Sequence, residues 1–100
     1  MSCVTKNKFI EPIDVQSVTA QWKKRGFGCS IYVDSPGQEW PDFIHPCNEL
    51  VMVLDGQLRM LVEDEEFIAN PGDEVFIPKN TYHSLFNTFN GTTRWFYGYD

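Results

Sequence analysis

Only two histidines occur in the 100 residues, His45 and His83, so any chemistry that needs imidazole has two places to go. His45 opens the segment His45-Pro46-Cys47-Asn48-Glu49, four residues before a glutamate. Even spacing returns side chains to the same face of an extended chain, although Pro46 interrupts strict alternation here. If adjacent strands of a closed sheet aim His45, Glu49 and His83 at one interior point, they offer what a divalent metal needs. Two imidazoles and one carboxylate would leave positions open for water, substrate or oxygen. A plainer reading fits the spacing too: two partly buried histidines hydrogen-bonded within a core. Cys47, between His45 and Glu49, reads as a soft further ligand, a redox-sensitive thiol, or a small buried residue in the turn after Pro46.

These residues must be positioned by a small scaffold, since 100 residues fit one compact domain. Residues 14–25 form the one good helix candidate. Asp14 can cap it, Val15, Val18 and Trp22 recur at helical spacing, Lys23, Lys24 and Arg25 suit its C-terminal end, and Gly26 stops it. Short apolar runs broken by turn residues follow: residues 27–33, 38–45, 49–54, 57–63, 65–69, 74–77, 82–87 and 92–99. Asp34-Ser35-Pro36-Gly37, Asp55-Gly56 and Asn70-Pro71-Gly72 are turn signals, and the acidic cluster Glu63-Asp64-Glu65-Glu66 reads as a solvated loop tip. This spacing predicts an all-β sandwich or small barrel. Leu50-Val51-Met52-Val53-Leu54 and Arg94-Trp95-Phe96-Tyr97 lack clean alternation, so their outer faces need a cover, either the N-terminal segment or a second subunit. A homodimer is expected on this ground.

The interior reads as apolar and aromatic, with Trp40, Phe43, Val51, Val53, Met60, Phe76 and Trp95 as candidates to line it. Arg59 and Tyr97 are the polar groups that could anchor a substrate, although surface or interface positions suit them better. The net charge of −6 argues against nucleic acid, which calls for a basic face. No apolar stretch is long enough to span a membrane, and residues 1–10 lack the apolar run of a signal peptide. Three cysteines with no CxxC pair predict neither a disulfide framework nor a structural zinc site, and point to a reducing, cytoplasmic compartment. Asn90-Gly91-Thr92 matches a glycosylation acceptor but reads as a plain Asn-Gly turn.

Two motifs resemble those of the cupin family across residues 37–98. The first family motif is Gly-x5-His-x-His-x3,4-Glu-x6-Gly. Glu49-x6-Gly56 fits it, His45 stands at the second histidine, Phe43 replaces the first, and the leading glycine is displaced to Gly37. The second is Gly-x5-Pro-x-Gly-x2-His-x3-Asn, matched at Gly72, Pro78, His83 and Asn87, with Asn80 in place of its middle glycine. Asparagine tolerates the left-handed conformation next best, so that turn can survive. Asn87 is expected to tie down the end of the His83 strand.

The resemblance implies an antiparallel β-barrel of jelly-roll type, with residues 1–26 as an arm and helix packed on a barrel of residues 27–100. It also implies one divalent ion per subunit (iron, zinc, manganese or nickel) on His45, Glu49 and His83. Phe43, Cys47, Arg59, Trp40 and Tyr97 are the further pocket candidates. The function so implied is a metalloenzyme acting on a small organic molecule, dioxygenase-like or an isomerase or lyase. The alternative is a non-catalytic module that binds or senses a small ligand.

Overall fold

The computed structural model describes residues 2–100. The Asp14 carboxylate accepts from the Gln16 N–H at 3.1 Å and the Ser17 hydroxyl at 2.9 Å, which starts helix α1, Val15–Lys24. Gly26, at φ 87°, follows its end. Val18 and Trp22 form the buried stripe, while Val15 is exposed.

Nine strands accompany the helix among the described residues: β1 (Val4–Thr5), β2 (Ser30–Asp34), β3 (Glu39–Phe43), β4 (Glu49–Asp55), β5 (Leu58–Val62), β6 (Glu65–Ala69), β7 (Glu74–Ile77), β8 (His83–Phe86) and β9 (Thr93–Tyr99). They form two antiparallel sheets, ordered β1-β7-β4-β9-β2 and β3-β8-β5-β6. The inner faces share one core, in which Val51, Val53 and Val75 of the first sheet meet Leu58, Met60 and Leu85 of the second. This is the expected all-β, jelly-roll type of architecture.

A second apolar cluster explains the strands that failed to alternate. Leu50, Met52 and Phe96 point outward from the five-stranded sheet, and Val18 and Trp22 of α1 cover them. The Trp22 Nε1–H donates to Glu74 at 2.7 Å, and Arg25 pairs with the same carboxylate at 2.8 Å. The cover required by the sequence is therefore the chain's own helix. The arm before it is held by the buried Asp73 carboxylate, which accepts from the Asn7 N–H, the Asn70 N–H and Lys6 Nζ at 2.9 to 3.0 Å. Burial would raise the Asp73 pKa, but those donors and the Lys6 charge outweigh it and hold the carboxyl below its ordinary range.

The turns follow the residue chemistry, with one exception. Gly56 adopts φ 94°, and a Cβ there would lie 2.3 Å from Thr93 Oγ1. Asn80 holds φ 60°, as asparagine can. The loop after β8 is not an Asn-Gly hairpin, since neither Asn90 nor Gly91 has positive φ. The Asn87 amide organises it instead, donating to the Ser35 and Gly91 carbonyls at 2.9 and 3.1 Å and accepting from the Thr93 hydroxyl at 2.8 Å.

Candidate metal centre

Glu49 begins β4 on the inward parity shared with Val51 and Val53, while Leu50 and Met52 face out. His83 begins β8 on the opposite sheet, paired with Phe43 of β3 and Val62 of β5. His45 lies in the connection before β4. Its carbonyl accepts from the Asn80 N–H at 2.7 Å. Asn48 braces the same connection, taking the Lys79 N–H at 2.8 Å and giving its amide to Asp100 at 2.8 Å.

These elements bring His45, Glu49 and His83 together, with one donor atom from each lying within 4.8 Å of the others. Glu49 Oε1 is 3.3 Å from His83 Nε2 and 3.7 Å from His45 Nε2. The His83 Nδ1 lies 3.0 Å from the Thr81 carbonyl, which can only accept. The Nδ1 therefore carries the proton, and Nε2 of the neutral ring turns a lone pair toward Glu49. Glu49 Oε1 is buried and has no hydrogen-bond partner among the described residues. Two electron-rich atoms face each other here, an arrangement that a cation between them would relieve. The three residues thus fit a divalent ion, with the Thr81 carbonyl orienting one imidazole from behind. Without an ion, a proton can serve. Burial lowers the His83 pKa, but the Glu49 contact and charge and the Thr81 carbonyl outweigh it and raise the value overall.

The three donors open onto a cavity of about 190 Å³. Its aromatic walls form a closed circuit. Tyr32 packs on Trp40 (ring centroids 5.1 Å apart), Trp40 on Phe43 (5.9 Å), Phe43 on His45 (6.1 Å) and His45 on Tyr99 (5.0 Å). Tyr99 then meets Tyr97 (6.2 Å), Tyr97 meets Trp95 (5.6 Å), and Trp95 returns to Tyr32 (5.9 Å). Leu85 completes the lining with the metal-ligand candidates. The Tyr99 hydroxyl lies 3.4 Å from His45 Nε2. Its pKa is pushed up to about 12, first by burial and then by the charge of Glu49, so the phenol stays a neutral O–H donor.

A β-bulge shapes one wall. Trp40 pairs with Leu85 and Phe43 with His83, so three steps along β3 match two along β8. Asp42 takes up the extra residue at φ 56°, its N–H donating to Ser84 Oγ at 2.9 Å. The bulge returns Phe43 to the cavity side, where strict alternation from Trp40 would have turned it away. Behind this wall the buried Asp34 carboxylate accepts from the Trp40 Nε1–H at 3.1 Å.

Of the residues expected at the pocket, Trp40, Phe43 and Tyr97 line it. Arg59 does not. Leu58, Met60 and Val62 take the inward positions of β5, so Arg59 faces out, paired with Glu66 and 4.3 Å above the Phe86 ring. Cys47 lies outside both the cavity lining and the cluster of donor atoms. Among the interior candidates Trp95 lines the cavity, whereas Val51, Val53 and Met60 are buried in the core beside it. Phe76 is a correction: Val75 and Ile77 point inward, leaving Phe76 on the outer face and 40% exposed. Tyr32, Leu85 and Tyr99 were not anticipated. Tyr99 was within reach, since it shares the parity of Trp95 and Tyr97.

Residues 30–99 match the family model of the cupin domain. No curated protein matches the chain. Among solved structures it is similar to the protein TT1209 from Thermus thermophilus, at 21% identity and TM-score 0.67 over 73% of this chain and 71% of that one. A cupin superfamily protein from Desulfitobacterium hafniense matches at 15% identity and TM-score 0.66 over 73% of this chain and 65% of its own. An oxalate oxidase matches at 21% identity and TM-score 0.67 over 75% of this chain. The chain spans 42% of that enzyme's length, and at these identities the likeness is one of fold.

Proposed function

The chain belongs to the cupin family, and on that footing we propose that it is a metalloprotein holding one divalent ion per subunit on His45, Glu49 and His83 and acting on a small organic molecule. The observation that carries this reading is the buried Glu49 Oε1, which lacks any hydrogen-bond partner among the described residues and sits beside two imidazole Nε2 atoms. Two imidazoles and a carboxylate suit iron(II), zinc, manganese or nickel. A bound ion would supply Lewis acidity and open positions for substrate, water or oxygen, the requirement shared by dioxygenase-like and isomerase or lyase chemistry. The chain's own residues do the rest. The Thr81 carbonyl keeps His83 in the tautomer that frees Nε2. Tyr99 offers an O–H donor beside His45. The aromatic circuit gives the space in front of the site a mainly apolar lining.

Phe43 favours a second reading. It stands where the family motif has its first histidine and stacks on His45 with the two planes 23° apart. A pocket with one imidazole traded for an apolar wall suits a binding or sensing module without turnover.

The ligand would be a small organic molecule in either case. A cytoplasmic setting is supported by three free cysteines. A homodimer is supported by Ile31 and Val33 on the edge strand β2, which stay 43% and 57% exposed while α1 covers the neighbouring strands.

The deciding experiment measures metal in protein purified without chelator, for the wild type and His83→Ala, together with melting temperature on adding Fe(II), Zn(II), Mn(II) and Ni(II). The metalloprotein reading expects close to one ion per wild-type subunit and a loss in the variant. No ion in either protein, and no thermal shift with any of the four, sinks it. If metal binds, oxygen uptake and product analysis with a panel of small acids, diketones and thiols separates an enzyme from a sensor.

A further inference from the structure

We propose that the cavity is built for a planar, ring-sized molecule that offers oxygen donors to the ion and carries no more than one negative charge. The inference rests on the metal reading above and narrows it to a class of ligand.

Size comes first. An apolar cavity of about 150 Å³ accepts a benzene molecule, so about 190 Å³ takes a single ring with its substituent oxygens. Shape follows from the walls. Trp40, Phe43, Trp95 and Tyr97 present ring faces and edges around the space, and aromatic groups pair best with a flat partner in offset or edge-to-face contact.

Charge is the sharpest constraint. Among the described residues, no lysine or arginine lines the cavity. Arg25, Arg59 and Arg94 are engaged elsewhere by Glu74, Glu66 and Asp55. A divalent ion on Glu49 leaves one positive charge, which a singly charged ligand balances. A second carboxylate would lie against aromatic rings with no cation opposite it, which disfavours it. The neutral Tyr99 hydroxyl, beside His45, is placed to donate to a ligand oxygen.

The test uses the full chain loaded with Zn(II), with uptake first established by thermal shift. Calorimetric titration then compares tropolone, a planar singly charged chelator, with malonate and oxalate. Each affinity is divided by that of the same ligand for Zn(II) in buffer. The expected result is a normalised affinity for tropolone at least tenfold above either dicarboxylate. Zinc uptake with a dicarboxylate equal or superior, or with tropolone failing to bind or merely stripping the zinc, overturns this inference and leaves the metal reading standing. No zinc uptake overturns both. Tyr97→Arg, which adds a cation to the lining, is expected to move the preference toward malonate, and a folded variant with unchanged preference also overturns the charge argument.

Discussion

Glu49 and His83 approach from opposite sheets until Oε1 and Nε2 are 3.3 Å apart, and whenever the His83 ring is neutral its one proton points away to the Thr81 carbonyl. The contact is therefore unfavourable until a cation or a proton enters it. Glu49→Gln removes the charge and offers an amide donor to Nε2. Metal affinity is expected to fall by about 100-fold or more. At a pH above the raised His83 value, the metal-free variant is expected to melt no lower than the wild type, because a buried carboxylate without a partner there is gone. Metal titration and calorimetric melting in chelator check the two halves separately.

The same pair sets a pH dependence. In the metal-free protein the His83 pKa is raised above its ordinary 6.5. Protonation then favours the folded state, so this contribution is complete below pH 6.5 and is lost as pH climbs through the higher folded value. Urea unfolding in chelator is expected to show stability declining over that window, with the slope flattened in Glu49→Gln. Metal binding responds in the opposite sense, weakening as pH falls, because the proton competes for Nε2.

Phe43→His tests what the missing imidazole costs. Phe43 is opposite His83 across the β3–β8 pair, is 37% exposed, and already lines the cavity. A histidine there adds a fourth donor with little lost burial. Affinity for Zn(II) or Ni(II) is expected to rise by about tenfold or more, and stability of the metal-free protein to change by less than about 1 kcal/mol. Competition against a chromogenic chelator reads the first, and urea unfolding the second.

Asp73 pins the N-terminal arm. Asp73→Ala strands two N–H donors and frees Lys6, at an expected cost of about 2–4 kcal/mol. Lys6→Met, which removes only a half-exposed partner, is expected to cost under about 1 kcal/mol. Because the Asp73 pKa is lowered, its stabilisation is present above the ordinary value of 3.8 and disappears as pH drops through the lower folded value. Acid unfolding followed by circular dichroism is expected to show a shallower limb in Asp73→Ala than in the wild type.

Gly98 separates Tyr97 from Tyr99, and a Cβ there would sit 1.8 Å from the Gly28 carbonyl oxygen. Gly98→Ala must push β9 and the segment before β2 apart. The expected cost is about 1–3 kcal/mol, read by urea unfolding. Weakened binding at the cavity should accompany it, since both tyrosines move.

Much of this was legible in the residues. Asp14 marked the helix start, Gly56 and Asn80 took the left-handed turns, and Asn87 ties down the strand end. The two histidines and Glu49 were picked out by type and spacing, and the fold gathers them. Residue type alone suggests Arg59 as an anchor and Phe76 as lining, while alternation along Leu58-Arg59-Met60 and Val75-Phe76-Ile77 sends both outward. Alternation failed in the other direction at Phe43, where only the bulge at Asp42 brings the ring inward, and a bulge leaves little trace in a single sequence. The two-residue β1 is too short to leave a periodic signal, and its strand character comes from pairing with Val75 and Glu74.

The closed circuit of rings also makes the protein its own optical probe. Of the three tryptophans, Trp40 and Trp95 belong to the circuit, while Trp22 projects from the buried face of α1 against Phe96, on the far face of the sheet. Emission from the first two responds to whatever occupies the cavity, and emission from the third to whether the helix stays docked. Replacing Trp22 with phenylalanine leaves tryptophan emission at the cavity alone, so the variant reads occupancy and its difference from the wild type reads helix docking, without any added label.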